Sequence, residues 1–103
     1  MQLQETVAQF AQMHKLDTAL VPARVLDMTS EVGELAKEVL KGTAYGRHPF
    51  QPTEGWAGEL GDIYFSLICI ANSTGVNLEA ALGAALEKYR QRLASIGNPG
   101  SEG

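Results

Sequence analysis

Ser30-Glu31-Val32-Gly33-Glu34-Leu35 lies inside a run from Pro22 to Lys41 with helical periodicity, and its reading decides the fold. At ~100° of rotation per residue, Asp27, Glu31, Glu34 and Glu38 fall on one narrow stripe, spaced i, i+4, i+7 and i+11. Val25, Met28, Val32, Leu35 and Val39 line a neighbouring face. The run therefore reads as an amphipathic helix with an acidic edge. Acids three or four apart on a helix repel, by a few tenths of a kcal/mol per pair. Setting them beside core-forming residues also costs hydration. Such a stripe calls for positive charge to compensate it.

A second acidic pair lies further on, in Glu59-Leu60-Gly61-Asp62. It sits in a helical run from Glu54 to Ser73 that is otherwise nearly all apolar, with Trp56, Leu60, Ile63, Phe65, Leu67 and Ile68 spread around its circumference. A helix apolar all round is buried on every side. One short chain hardly covers it, so this helix is expected to meet an oligomer interface as well as its own core.

Two flanking helices complete the pattern. Leu3 to His14 repeats Leu3, Val7, Phe10 and Ala11 at helical spacing, with Gln2, Gln4, Glu5, Gln9 and Gln12 expected outside. It reads as a packing helix, and a ligand contact from Phe10 or His14 is the rival reading. Asn77 is the expected N-cap of a last helix running to Ile96. Leu78, Ala81, Leu82, Ala85, Leu86, Tyr89 and Leu93 form its expected buried face. Pro22 suits the first turn of the second helix, Lys37 and Lys41 complement its dipole, and Gly42 is the expected left-handed cap. Gly42 to Thr53 is a long loop with Tyr45, Phe50 and two cations, Arg47 and His48, suited either to an anionic ligand or to a solvated connector. Trp56 is expected to pack rather than to stack on a base. There is no strand-like alternation and no repeat. The fold class is all-α, four helices in a bundle-like arrangement, as one domain over 1–97, stopped by Gly97 and Pro99, with a polar tail at 98–103.

Composition narrows the function. The formal charge is −4 with no basic stripe, which argues against a nucleic-acid polymer as the main partner. Cys69 is the only cysteine, so no intrachain disulfide forms, and it reads as a core thiol in a reducing compartment. Met1 to Phe10 lacks the pattern of a signal peptide, and Ile63 to Ala71 is too short to span a bilayer. The expectation is a cytoplasmic protein without a membrane partner.

The carboxylates point to chemistry. Di-iron bundles pair acids with histidine as Glu-x-x-His; His14 and His48 are the only histidines, and neither has that spacing. Zinc and iron are disfavoured, while all-oxygen ligands suit Mg2+ or Mn2+. Magnesium usually shares its coordination with substrate phosphates. The pattern thus fits a site for a metal–nucleotide.

Glu31-Val32-Gly33-Glu34-Leu35, then Glu59-Leu60-Gly61-Asp62-Ile63-Tyr64-Phe65, then Gly75-Val76-Asn77-Leu78-Glu79-Ala80-Ala81-Leu82, then Lys88 and Arg92, together resemble the MazG-like branch of the all-α nucleoside triphosphate pyrophosphohydrolases. The resemblance spans Pro22 to Arg92. It implies hydrolysis of nucleoside triphosphates to the monophosphate and pyrophosphate with Mg2+ or Mn2+, by a homodimer or homotetramer. It implies Glu31, Glu34, Glu59 and Asp62 as metal ligands and Lys88 and Arg92 as phosphate contacts. It gives Glu38 the role of holding or deprotonating the attacking water. Many relatives carry two adjacent acids where this chain has Ser30-Glu31, and Asn where it has Ala85. The rival functions are hydrolysis of phosphoribosyl-ATP in histidine synthesis, and a non-enzymatic helical interaction module.

Overall fold

The computed structural model describes residues 2–96, and the expected Gly97 stop and polar tail lie outside them. Four helices and no strand occur among the described residues: α1 (Gln2–Met13), α2 (Val21–Gly42), α3 (Trp56–Ser73) and α4 (Leu78–Ile96). The all-α expectation holds, and Pro22 stands in the first turn of α2 as expected. No single described helix is long and apolar enough to cross a membrane.

α3 is the centre of the fold. α1 and α2 both pack on it, and its Ile68, Cys69 and Ala71 are buried, with Ala11 of α1 opposite. The core is small, and no large side chain is fully enclosed. α4 departs from α3 at 105° and buries no residue. One expectation is corrected here. The apolar face of α4 is not buried within the chain: Leu82, Leu86, Tyr89 and Leu93 are all exposed. α3 is left partly uncovered, as expected of one short chain: Leu60, Tyr64 and Leu67 face outward. The physical reason is the turn at Gly75 (φ 69°), which aims α4 away instead of folding it back along the bundle. The Cα radius of gyration is 16.8 Å, against about 13 Å for a compact chain of this length.

Gly42 is also corrected. It closes α2 in helical geometry, and the C-cap is Thr43 at φ −106°. The left-handed residues come later, at Ala44, Tyr45 and Gly46. Gly42 is needed for space: a Cβ there would lie 2.5 Å from the Gln51 carbonyl and 2.7 Å from the Phe50 ring. The returning loop thus lies flush against the end of α2, and the Gln51 N–H donates to the Gly42 carbonyl at 3.0 Å.

Gln4 was expected outside and is buried. Its amide donates to Asn72 Oδ1 at 3.1 Å and to the Val76 carbonyl at 2.8 Å. Its carbonyl oxygen accepts from the Leu78 N–H at 2.8 Å. One side chain on α1 therefore satisfies both the α3–α4 turn and the open N-terminus of α4, whose first N–H groups have no helical partner. Asn77 caps the same end as expected, its Oδ1 accepting from the Ala80 N–H at 3.0 Å.

Candidate metal centre

The packing of α2 on α3 brings the two acidic motifs together. Glu31 from α2 and Glu59 and Asp62 from α3 each offer one carboxylate oxygen, and these three atoms lie within 4.8 Å of one another. Glu31 and Glu59 are half-buried and Asp62 is exposed. Glu59 Oε2 is buried and has no hydrogen-bond partner among the described residues. A buried carboxylate oxygen without a donor is costly. Burial raises the Glu59 pKa, and the neighbouring Glu31, Asp62, Glu34 and Glu38 carboxylates raise it further. Geometry and field agree that a cation would be favourable here. With oxygen donors alone, the chemistry of the set fits a hard divalent ion such as Mg2+ or Mn2+.

Glu34 and Glu38 do not join this group of three. Glu34 is exposed and pairs with Lys37, one turn on, at 3.4 Å. Glu38 is buried at the far end of the stripe, where its Oε1 accepts the Thr53 hydroxyl and its Oε2 pairs with Lys41 at 3.2 Å. The Thr53 hydrogen bond, then that of Lys41, hold its pKa below the usual carboxylate value against the opposing effect of burial. Gly55 leaves room for this: a Cβ there would meet Glu38 Oε1 at 2.9 Å. Lys37 and Lys41 were read as cations for the helix dipole, and both are committed to acids of the stripe.

The expected phosphate contacts, Lys88 and Arg92, lie on α4, while the three acids come from α2 and α3. The Lys88 ammonium lies 5.4 Å from the centre of the Tyr89 ring. Arg92 is half-buried and engaged in an interaction of its own. Arg47 and His48 are exposed on the loop, with His48 Nδ1 2.8 Å from the Pro49 carbonyl oxygen. Trp56 packs against Phe50, ring centres 4.9 Å apart.

Two residues near the acids escaped the sequence reading. Thr53 gave no signal, because a loop threonine announces no partner. Arg24 did carry one: it precedes Glu31 by seven residues and so continues the acidic stripe by one turn. Its Nη2 donates to the Leu16 carbonyl at 2.8 Å, and its guanidinium lies 5.9 Å from the centre of the Phe65 ring. Phe10 meets Phe65 edge-on at 6.0 Å and His14 at 4.6 Å, so an aromatic group borders the acidic one.

Residues 23–96 match the model of the MazG nucleotide pyrophosphohydrolase domain. The chain is also 38% identical over 73 residues to the uncharacterized protein YpjD of Bacillus subtilis (strain 168). That match covers 68% of this chain and 64% of YpjD, so the chain aligns with under two thirds of its relative. No solved structure matches.

Proposed function

The chain belongs to the family of MazG nucleotide pyrophosphohydrolase domains, and from that premise we propose that it hydrolyses (deoxy)nucleoside triphosphates to the nucleoside monophosphate and pyrophosphate. The observation that carries this is the convergence of Glu31, Glu59 and Asp62, with one oxygen of Glu59 buried and unpartnered. In this reading Glu31, Glu59 and Asp62 hold Mg2+ or Mn2+, and Glu34 joins them by turning away from Lys37. The ion would offset phosphate charge and favour attack by water on phosphorus. Lys88 and Arg92 are the proposed phosphate contacts. Glu38 is the proposed anchor for the attacking water. Thr53 and Lys41 stabilise its charged form, which weakens it as a base, so its share is orientation more than proton removal. We assign the reaction to the cytoplasm, where a lone reduced Cys69 is at home.

The working unit in this proposal is a homodimer or homotetramer. The chain alone exposes 7370 Å2, against about 5,600 Å2 for a compact monomer of its mass. The excess is on the scale of a stable protein–protein interface. The outward residues of α3 and the apolar stripe of α4 adjoin, with Tyr64, Leu67, Leu78 and Leu82 lining one shallow apolar recess. A second copy seated there would cover both.

The test is a pair of conservative variants. Asp62→Asn and Glu59→Gln keep side-chain volume and remove a ligand charge. Each is expected to lower kcat/KM for nucleoside triphosphates at least ~100-fold while the helical circular dichroism stays intact. Wild-type turnover by folded Asp62→Asn would overturn the site assignment.

A further inference from the structure

Beside the three clustered acids lies a recess of about 330 Å3 whose walls include Arg24, Ser30, Glu31, Asp62, Phe65 and Ser66. Arg24 is the only cation among its lining residues. Asp27 lines it too, yet Arg24 forms no ion pair with it or with any other acid among the described residues. The guanidinium instead lies 5.9 Å from the centre of the Phe65 ring and donates one N–H to the Leu16 carbonyl. It is thus held in place by a neutral acceptor and an aromatic face. Most of its five donors remain for something else, and its charge is uncancelled by direct contact.

We propose that Arg24 binds the phosphate oxygens of the substrate that lie beyond the reach of the metal, and so grips one end of the polyphosphate chain. This deepens the proposed function and rests on it. Arg24 and Glu31 are seven residues apart on one helical face, so their Cα atoms stand ~10 Å apart along the axis. A long side chain at one end and the carboxylates at the other bracket a stretch suited to linked phosphates. A planar guanidinium meets phosphate with two parallel N–H···O bonds, and the Leu16 carbonyl and the nearby Phe65 ring hold this one at the recess in advance. This arrangement would also let a chain so acidic here accept a polyanion: an ion held by the carboxylates would supply positive charge at one end, and Arg24 supplies it at the other.

The test separates ligand binding from metal binding. Wild type, Arg24→Lys and Arg24→Gln are titrated by calorimetry, first with Mn2+ alone, then with inorganic pyrophosphate in saturating Mg2+. Mn2+ affinity is expected to stay within about twofold in both variants, because the carboxylates are untouched. Pyrophosphate affinity is expected to fall roughly tenfold or more in Arg24→Gln. It falls by less in Arg24→Lys, which keeps the charge but loses the fork. Kinetically, the loss for nucleoside triphosphates appears in KM. Should Arg24→Gln prove unfolded, the Arg24→Lys titration decides. Unchanged pyrophosphate affinity and KM in a folded variant, even with a lowered Tm, would make Arg24 a packing residue and overturn the inference alone. A wild-type protein that binds Mn2+ but neither binds pyrophosphate nor hydrolyses any nucleotide would overturn the proposed function, and this inference with it.

Discussion

Gln4 and Asn72 hold each other in both directions across 68 residues: the Gln4 amide donates to Asn72 Oδ1 at 3.1 Å, and Asn72 Nδ2 donates to the Gln4 backbone carbonyl at 3.0 Å. The same Gln4 side chain closes the Val76 carbonyl and the Leu78 N–H. Gln4→Ala would leave several of these groups without their partner. A loss of about 2 kcal/mol follows, read as a lower midpoint in urea unfolding. Because Leu78 opens α4, amide hydrogen exchange should rise first in the opening turn of that helix. A midpoint equal to wild type would show that water replaces Gln4 without cost.

The Glu38–Thr53 hydrogen bond fastens the end of the long loop to α2. Thr53→Val keeps the shape and removes the hydroxyl, so the Glu38 pKa should return toward its ordinary value, as followed by NMR titration. Gly55→Ala should do the same with both partners left unmutated, because the new Cβ displaces Glu38 Oε1. Glu38 is depressed in the fold. Its stabilising contribution is present above the ordinary carboxylate value of 4.5 and is lost as pH falls through its lower folded value. Thermal melts of wild type should show that acid loss, and Thr53→Val should flatten it.

Glu59 has the opposite sign. Its folded pKa is raised, so the metal-free fold loses stability as pH climbs from the ordinary carboxylate value through the folded one. Mg2+ favours the charged carboxylate and should reverse that trend, raising Tm more at neutral than at acid pH. Mn2+ binding near the folded pKa should release protons, seen as a buffer-dependent calorimetric enthalpy. Glu59→Gln should raise the metal-free Tm, since it removes the carboxylate that its neighbours repel, and should abolish the Mg2+ response. A Tm indifferent to Mg2+ at every pH would remove the metal from the proposal.

The exposed stripe of α4 gives an assembly prediction. Leu82→Glu combined with Leu86→Glu changes two exposed side chains, so the isolated chain should keep its helicity. Sedimentation should find wild type as a dimer or tetramer and the double variant as a monomer. A monomeric wild type would contradict the proposed working unit.

How much of this was legible beforehand follows from what a linear pattern can carry. The acidic stripe of α2 and the Glu59–Asp62 pair were each readable because helical spacing alone puts their members on one face, whereas the meeting of the two motifs was implied only by the family resemblance. Asn77 was readable as a cap because capping is local. Gln4 was not, because its partners lie 68 to 74 residues away and periodicity places polar residues outward by default. Gly42 looked like a cap, yet its need for space comes from Phe50 and Gln51 folding back on it. The direction of α4 was hidden for a similar reason. An apolar stripe tells that a helix will be covered, not that its own chain does the covering. Glu34 and Glu38 share a stripe with Glu31, and their separation from the cluster comes from Lys37 and Thr53, which the motif does not mention.

The most direct measurement is product analysis by anion-exchange chromatography. Purified protein is incubated with a panel of ribo- and deoxynucleoside triphosphates and Mg2+, with EDTA controls. The expected result is nucleoside monophosphate and pyrophosphate in equal amounts, lost with EDTA and lost in Asp62→Asn. Nucleoside diphosphate and orthophosphate would contradict the assigned bond. No product from any substrate, by protein that binds Mg2+, would contradict the nucleoside triphosphate hydrolysis itself.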